Sequence, residues 1–293
     1  MRNLDLIAIS DIYGDVEMVE ELLRRLEGAR EQRVIVVAGD IGITSEYQER
    51  HKILSMLAEN AKYVLYVAGD TDPKDMKIDV PNVINLDGRG FFIEINDIKL
   101  GFIGLGGAPR HSVRKDEPLP NLFDESIQIV RDRLLRSLRI SLEKIMLNRP
   151  DYVILVTHSP PYGMADRSTP ITLREFIVLE EILADVIGYE QREEEAKKVS
   201  ISPRKLGSRI IRDFVVNYKP DIHIFGHVHK QGGKVIRYRD TTFFNVSHLS
   251  PLPYRLTGRK FLLVRFKERM YDFVFDHLVL KNLPFEFFLE SYL

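Results

Sequence analysis

Three aspartates and three histidines in this sequence follow apolar runs closely enough for a folded chain to pool them. IAIS precedes Asp11, VVAG precedes Asp40 and YVAG precedes Asp70. ILVT precedes His158 and IFG precedes His227, with His229 two residues on. In α/β sheets ligands bind just beyond the carboxyl ends of the strands, so five such ends would gather carboxylates and imidazoles at one edge. Carboxylate oxygen with imidazole nitrogen suits zinc, manganese or iron, and a shared carboxylate can bridge two ions. A pair of ions would clamp an in-line displacement at phosphorus. Asp40, Asp70 and His158 are the leading catalytic candidates. In an extended segment His227 and His229 would point to one side. Asp15 reads as a helix cap. His51, His223 and His277 read as structural histidines.

The elements that must position these residues alternate. LDLIAIS (4–10), RVIVVAGD (33–40) and AKYVLYVAGD (61–70) are short apolar runs expected to be buried strands. Between them lie two amphipathic stretches. One carries Val19, Leu22, Leu23 and Leu26 and stops at Gly28; the other spans 47–60 with Ile53, Leu54 and Leu57 inward. This β-α-β-α-β order argues for parallel strands with right-handed crossovers. FFIEI (91–95) and KLGFIGL (99–105) about Asn96-Asp97 predict a hairpin. A helix is expected over 123–148, a strand over 151–158, a helix over 206–218 and a strand over 221–227. Short strands should fill 232–275. Residues 163–205 read as an inserted helical excursion with the charge run QREEEAKK, and 278–293 as an apolar tail. The whole, 1–293, reads as one α/β domain with two sheets.

Composition narrows the function. The chain has 293 residues, 44% hydrophobic and 29% charged, with a net charge of −1. That is globular composition and argues against general nucleic-acid binding. The absence of cysteine excludes disulfides, thiolate nucleophiles and cysteine-ligated zinc. The amino-terminal stretch is too short and interrupted for a signal peptide, and no run of about 18 apolar residues offers a membrane span. A cytoplasmic enzyme is the expectation.

The polar clusters, taken in order, resemble the calcineurin-like metallophosphoesterase family. Its pattern is DxH, GDxxD, GNHD or GNCD, a lone His, then GHxH. Here the pattern reads Asp11-Ile12-Tyr13, Gly39-Asp40-Ile41-Gly42-Ile43, Gly69-Asp70-Thr71-Asp72, Thr157-His158 and Gly226-His227-Val228-His229. The resemblance spans 5–250 and is closest to small prokaryotic Icc-related phosphoesterases. It implies a four-layer α/β/β/α sandwich with two mixed sheets and a site for one or two divalent ions (manganese, iron, zinc or nickel). It puts Asp11 and His229 on a first metal, makes Asp40 a bridge, and puts Asp70, His158 and His227 on a second. It also implies hydrolysis of a phosphoester by in-line attack of a metal-bound hydroxide.

Two positions depart from the pattern. Tyr13 replaces a first-metal histidine. A phenol has a pKa of about 10, so Tyr13 is expected neutral and uncoordinated, donating its hydroxyl to a ligand carboxylate, a water or a substrate phosphate. Thr71 replaces the histidine that serves many monoesterases as general acid, which tilts the reading towards phosphodiesters. Ile43 replaces the second acid of GDxxD. Arg110, His111, Arg114 and Lys115 are candidates for holding phosphate. Asn245 and His248 lie where the family has a loop beside the metals, and His248 is a candidate substitute acid. The substrate is expected to be a small phosphoester or nucleotide. The insertion or the tail (Phe285, Phe288, Leu289, Tyr292, Leu293) could serve a homodimer. The alternative function is a catalytically weak metal- or nucleotide-binding regulatory or scaffold protein of the same fold.

Overall fold

The structure, a computed structural model, describes residues 3–42, 47–74, 76–112, 119–167, 205–247, 259–267 and 270–278. Three apolar clusters set its layers. The central cluster takes Leu4, Leu6 and Ala8 from β1 (Asn3–Ile9), Val34, Val36 and Ala38 from β2 (Arg33–Ala38), and Leu65 and Val67 from β3 (Tyr63–Val67). Facing them are Leu100 and Phe102 from β6 (Ile98–Leu105), Ile154 and Val156 from β9 (Tyr152–Thr157), and Ile222 and Ile224 from β10 (Ile222–Phe225). The alternate residues of the first three strands, such as Ile7, Ile35 and Tyr66, face outward against α1 (Val16–Arg25) and α2 (Tyr47–Glu59). Those of the second set, such as Ile103 and Leu155, pack against α3 (Gln128–Met146) and α4 (Arg209–Tyr218). Strands covered on both faces are apolar at nearly every position, which is why they read as apolar runs; His223 on β10 is a buried exception. The result is the four-layer α/β/β/α sandwich.

Among the described residues each large sheet has six strands. β4 (Val83–Asn85), β3, β2 and β1 run parallel; β13 (Arg259–Lys267) joins β1 antiparallel and carries β14 (Met270–Leu278) at the edge. In the other sheet β6, β9, β10 and β12 (Thr241–Asn245) run parallel, flanked by antiparallel β5 (Gly90–Ile95) and β11 (Val235–Tyr238). The carboxyl ends of β1, β2, β3, β9 and β10 therefore open on one edge.

Local chemistry explains most of the boundaries. Asp15 caps α1 by accepting from Met18 N at 3.0 Å. Asn96 and Asp97 both sit at positive φ, as the tight turn between β5 and β6 requires. Several expectations need correction. α1 ends at Arg25 with Leu26 as its cap, before Gly28. α3 begins at Gln128 because Leu122–Phe123 pairs with Ala108–Pro109 in a two-stranded sheet. Two of the carboxy-terminal strands are nine residues long rather than short. β4 was not anticipated. Of the insertion, 168–204 lie outside the described residues, although its ends meet through an Arg167–Lys205 bridge. Ile43, Arg114, Lys115, His248 and tail residues 279–293 also lie outside them.

Candidate metal centre

Strand ends deliver the polar groups on a tightly held backbone. After β1 and β2 the two chains stay paired: Asp11 N donates to Gly39 O at 3.0 Å, Ile12 N to Asp40 O at 2.8 Å and Gly14 N to Ile41 O at 2.9 Å. Across the sandwich Gly226 N donates to His158 O at 2.9 Å. Asp11, Tyr13, Asp40 and His227 all have positive φ, between 49° and 68°. For residues with side chains that conformation costs on the order of 1–3 kcal/mol each and persists only where the surroundings over-determine it. Here it turns each side chain off its strand line and into the shared cleft between the sheets.

The six expected residues come together. His158 Nδ1 lies 2.8 Å from Ala38 O, which can only accept, so Nδ1 carries the proton and Nε2 faces the cluster. That Nε2 is 2.9 Å from Asp70 Oδ1 and 3.5 Å from Asp40 Oδ2. His227 Nδ1 is 3.5 Å from Asp70 Oδ1, and its buried Nε2 has no hydrogen-bond partner in the structure. His229 Nε2 is 3.0 Å from Asp11 Oδ1. The expectation that His227 and His229 share one side fails. β10 ends at Phe225, His227 takes φ 68° and His229 opens a 3-10 turn, so the segment is not extended. The two rings part, one to Asp70 and the other to Asp11.

Tyr13 and Thr71 close on Asp40. The Tyr13 hydroxyl donates to Asp40 Oδ2 at 2.7 Å and lies 3.2 Å from His229 Nε2. Thr71 donates to Asp40 Oδ1 from its backbone N at 3.1 Å and from Oγ1 at 2.8 Å. Arg110 and His111 are exposed; His111 Nε2 lies 3.1 Å from Gly207 O, away from the carboxylates. Asn245 is buried and fixes its own loop, donating to Val228 O at 3.2 Å and accepting from Ser247 N at 3.0 Å.

The electrostatics ask for positive charge. Burial pushes Asp40 up to about 7 against the pull of His158, with Asp70 and Asp11 adding to the rise. Burial also lifts Asp70, but His227 and His158 outweigh it and hold Asp70 well below the usual carboxylate range. In the same way His229 overcomes burial to hold Asp11 at about 2. Burial pulls His158 down, yet Asp40 and Asp70 hold it well above the ordinary histidine range. Burial, then Asp40 and Asp11, keep the Tyr13 phenol neutral, well above its ordinary value. The carboxylates thus hold protons on the neighbouring imidazoles, where a cation would place its charge.

Two groups of donor atoms are close enough to hold an ion: Asp70, His158 and His227, and Asp11, Asp40 and His158. These residues fit a divalent cation, since oxygen and imidazole nitrogen converge and His227 Nε2 is a buried nitrogen with no hydrogen-bond partner. Sequence reasoning gave no role to Asp72, Arg50 or Asp87. Asp72 and Arg50 form a fully buried ion pair at 2.7 Å behind the cluster. Asp87 is a buried carboxyl that accepts from Ala68 N at 3.2 Å, and burial pushes it up to about 7. Asp72 was legible as part of its motif; Arg50 had only its place on the inner face of α2 as a signal.

The family model for calcineurin-like phosphoesterases matches residues 4–231, a span that holds all six clustered residues. The chain belongs to that family. Among curated proteins no match was found. Solved structures share the fold of this calcineurin-like phosphoesterase at low identity. TT1561 of Thermus thermophilus is 14% identical with a TM-score of 0.53, over 94% of this chain and 98% of its own. Phosphopantetheinyl hydrolase from Mycobacterium tuberculosis is 15% identical with a TM-score of 0.53, over 93% and 96%. GAP50, the anchor in the inner membrane complex of Plasmodium, is 11% identical with a TM-score of 0.51, over 97% and 88%.

Proposed function

We propose that this calcineurin-like phosphoesterase is a metal-dependent hydrolase that prefers phosphodiesters. The observation that carries the reading is the Asp70–His158–His227 group, two of its residues buried and the third partly so, with His227 Nε2 left without a partner. A bound divalent cation supplies charge for the phosphoryl oxygens and makes a water more acidic. The chain's own residues do the rest. Ala38 O fixes the His158 ring through Nδ1. The Tyr13 hydroxyl gives its one proton to Asp40 Oδ2 at 2.7 Å and so orients that carboxylate beside the ion. Thr71 offers no proton that titrates near neutrality, and its hydroxyl is already given to Asp40. A leaving group must therefore rely on its own acidity or on groups outside the described residues, of which His248 is the candidate.

Rates should fall steeply as the leaving group becomes more basic. The test is turnover of bis-p-nitrophenyl phosphate, p-nitrophenyl phosphate and a series of substituted aryl diesters, with manganese and after chelation. The expected result is metal-dependent turnover, faster on the diester, that Asp70→Ala reduces to background. The second reading, a metal- or nucleotide-binding scaffold protein, is favoured by Tyr13 at the first-metal position and by a neighbour of the same fold being named an anchor. Firm metal binding with no turnover on any of these esters would decide for it.

A further inference from the structure

The two groups of donors share one residue, and that residue has one lone pair to give. His158 belongs both to the Asp70–His227 group and to the Asp11–Asp40 group. Its Nδ1 is spent on Ala38 O, so only Nε2 can ligate. An sp² nitrogen lone pair serves one ion. Nε2 lies nearer Asp70, at 2.9 Å, than Asp40, at 3.5 Å.

The donors left over on the other side have the Tyr13 hydroxyl between them. Asp40 Oδ2 accepts from the Tyr13 hydroxyl at 2.7 Å, and that hydroxyl lies 3.2 Å from His229 Nε2. His229 Nε2 in turn lies 3.0 Å from Asp11 Oδ1. Asp40 Oδ1 takes both Thr71 donors. The Tyr13 hydroxyl thus lies between Asp40 and His229, where a second ion would stand, and a neutral phenol offers that ion no ligand. Tyr13 cannot easily withdraw. Its backbone sits at φ 49° with N bonded to Asp40 O at 3.1 Å, and its ring meets the His229 ring edge-on with centroids 5.6 Å apart.

We infer that the centre is mononuclear: Asp70, His158 and His227 hold one divalent cation, and the Tyr13 hydroxyl fills the place of a second. The inference rests on the metal-dependent reading above but does not depend on turnover. Asp40 then acts as a hydrogen-bond acceptor beside the ion rather than as a bridge between two. Asp11 and His229 position Tyr13 and hold no ion.

Metal stoichiometry tests this directly. Wild-type protein, Tyr13→His, Asp11→Asn and His227→Gln are saturated with manganese, freed of excess by gel filtration, and assayed by elemental analysis and electron paramagnetic resonance. Wild type and Asp11→Asn are expected to carry one ion per chain with the spectrum of isolated manganese. Tyr13→His is expected to gain a second ion and a spin-coupled spectrum. His227→Gln is expected to lose the ion. Two ions in wild type, or loss of the ion in folded Asp11→Asn, would overturn the inference and leave metal-dependent hydrolysis standing. A wild-type chain that binds no ion would overturn both.

Discussion

A Cβ at residue 69 has nowhere to go. Built on the backbone, it would overlap Asp40 Oδ1 and the Asp40 backbone N, so the loop after β3 can lie against the loop after β2 only with glycine there. Gly226 stands in the same relation to Ser10 and Asp11. These glycines are the closeness that lets carboxylates from separate strands converge. Gly69→Ala is expected to cost about 1–3 kcal/mol, the range for overpacking a close-packed site, and to lower manganese occupancy as the adjoining ligand Asp70 is displaced. Urea denaturation and elemental analysis would check both. Full occupancy with unchanged stability would show that the loops can separate at little cost.

At the scale of elements, the loops after β2 and β3 are tied to a helix by one buried ion pair. The Asp72 carboxylate accepts from Gly69 N at 2.8 Å, from Ile41 N at 3.1 Å and from Arg50 Nε at 2.7 Å. Arg50, from α2, also donates through Nη2 to Gly42 O at 3.1 Å and Thr71 O at 3.2 Å. Neither side chain of the pair has any exposure. A lone charge left in such a place typically costs about 3–5 kcal/mol. Arg50→Met is therefore expected to lower stability by about that amount. It should also weaken manganese binding, because the loops carrying Asp40 and Asp70 lose their common anchor. Denaturation with and without manganese would measure both. A melting point equal to wild type would mean that the pair contributes nothing net.

Across the whole molecule, acid sensitivity has a source away from the cluster. His223 lies on β10 with its ring against Phe225 and Phe243. Thr157 gives its only proton to Ser159 O at 2.6 Å, so His223 must donate from Nε2 at 2.9 Å, and Nδ1 is left bare. Burial pulls the ring down to about 3. The unfolded chain then binds a proton below about 6.5 that the folded chain refuses, so stability falls as pH drops from about 6.5 towards 3. The loss approaches roughly 4 kcal/mol at the acid end. Asp40 and Asp87, each raised to about 7, act oppositely, losing stability as pH rises through the carboxylate range towards 7. The readout is therefore the difference between proteins. Urea midpoints of wild type and His223→Leu, taken from pH 7.5 to 4.5 in chelator, should converge or cross as pH falls. Parallel curves would assign the acid loss elsewhere.

The sequence by itself determined the strands, their order and the polar residues at their ends. Those features are local: a strand covered on both faces is apolar at nearly every position, and the polar residue after it marks the sheet edge. It also determined that Tyr13 would be a neutral donor, because phenol chemistry is intrinsic to the residue. Only the tertiary structure decided where that hydroxyl lands, donating to Asp40 and lying beside a histidine 216 residues away. The same holds for Arg50 meeting Asp72, for β13 completing the sheet of β1, and for His227 and His229 parting after β10. None of these has a periodic or neighbouring signal. They arise when distant segments are packed and each buried polar group takes whichever partner lies within reach.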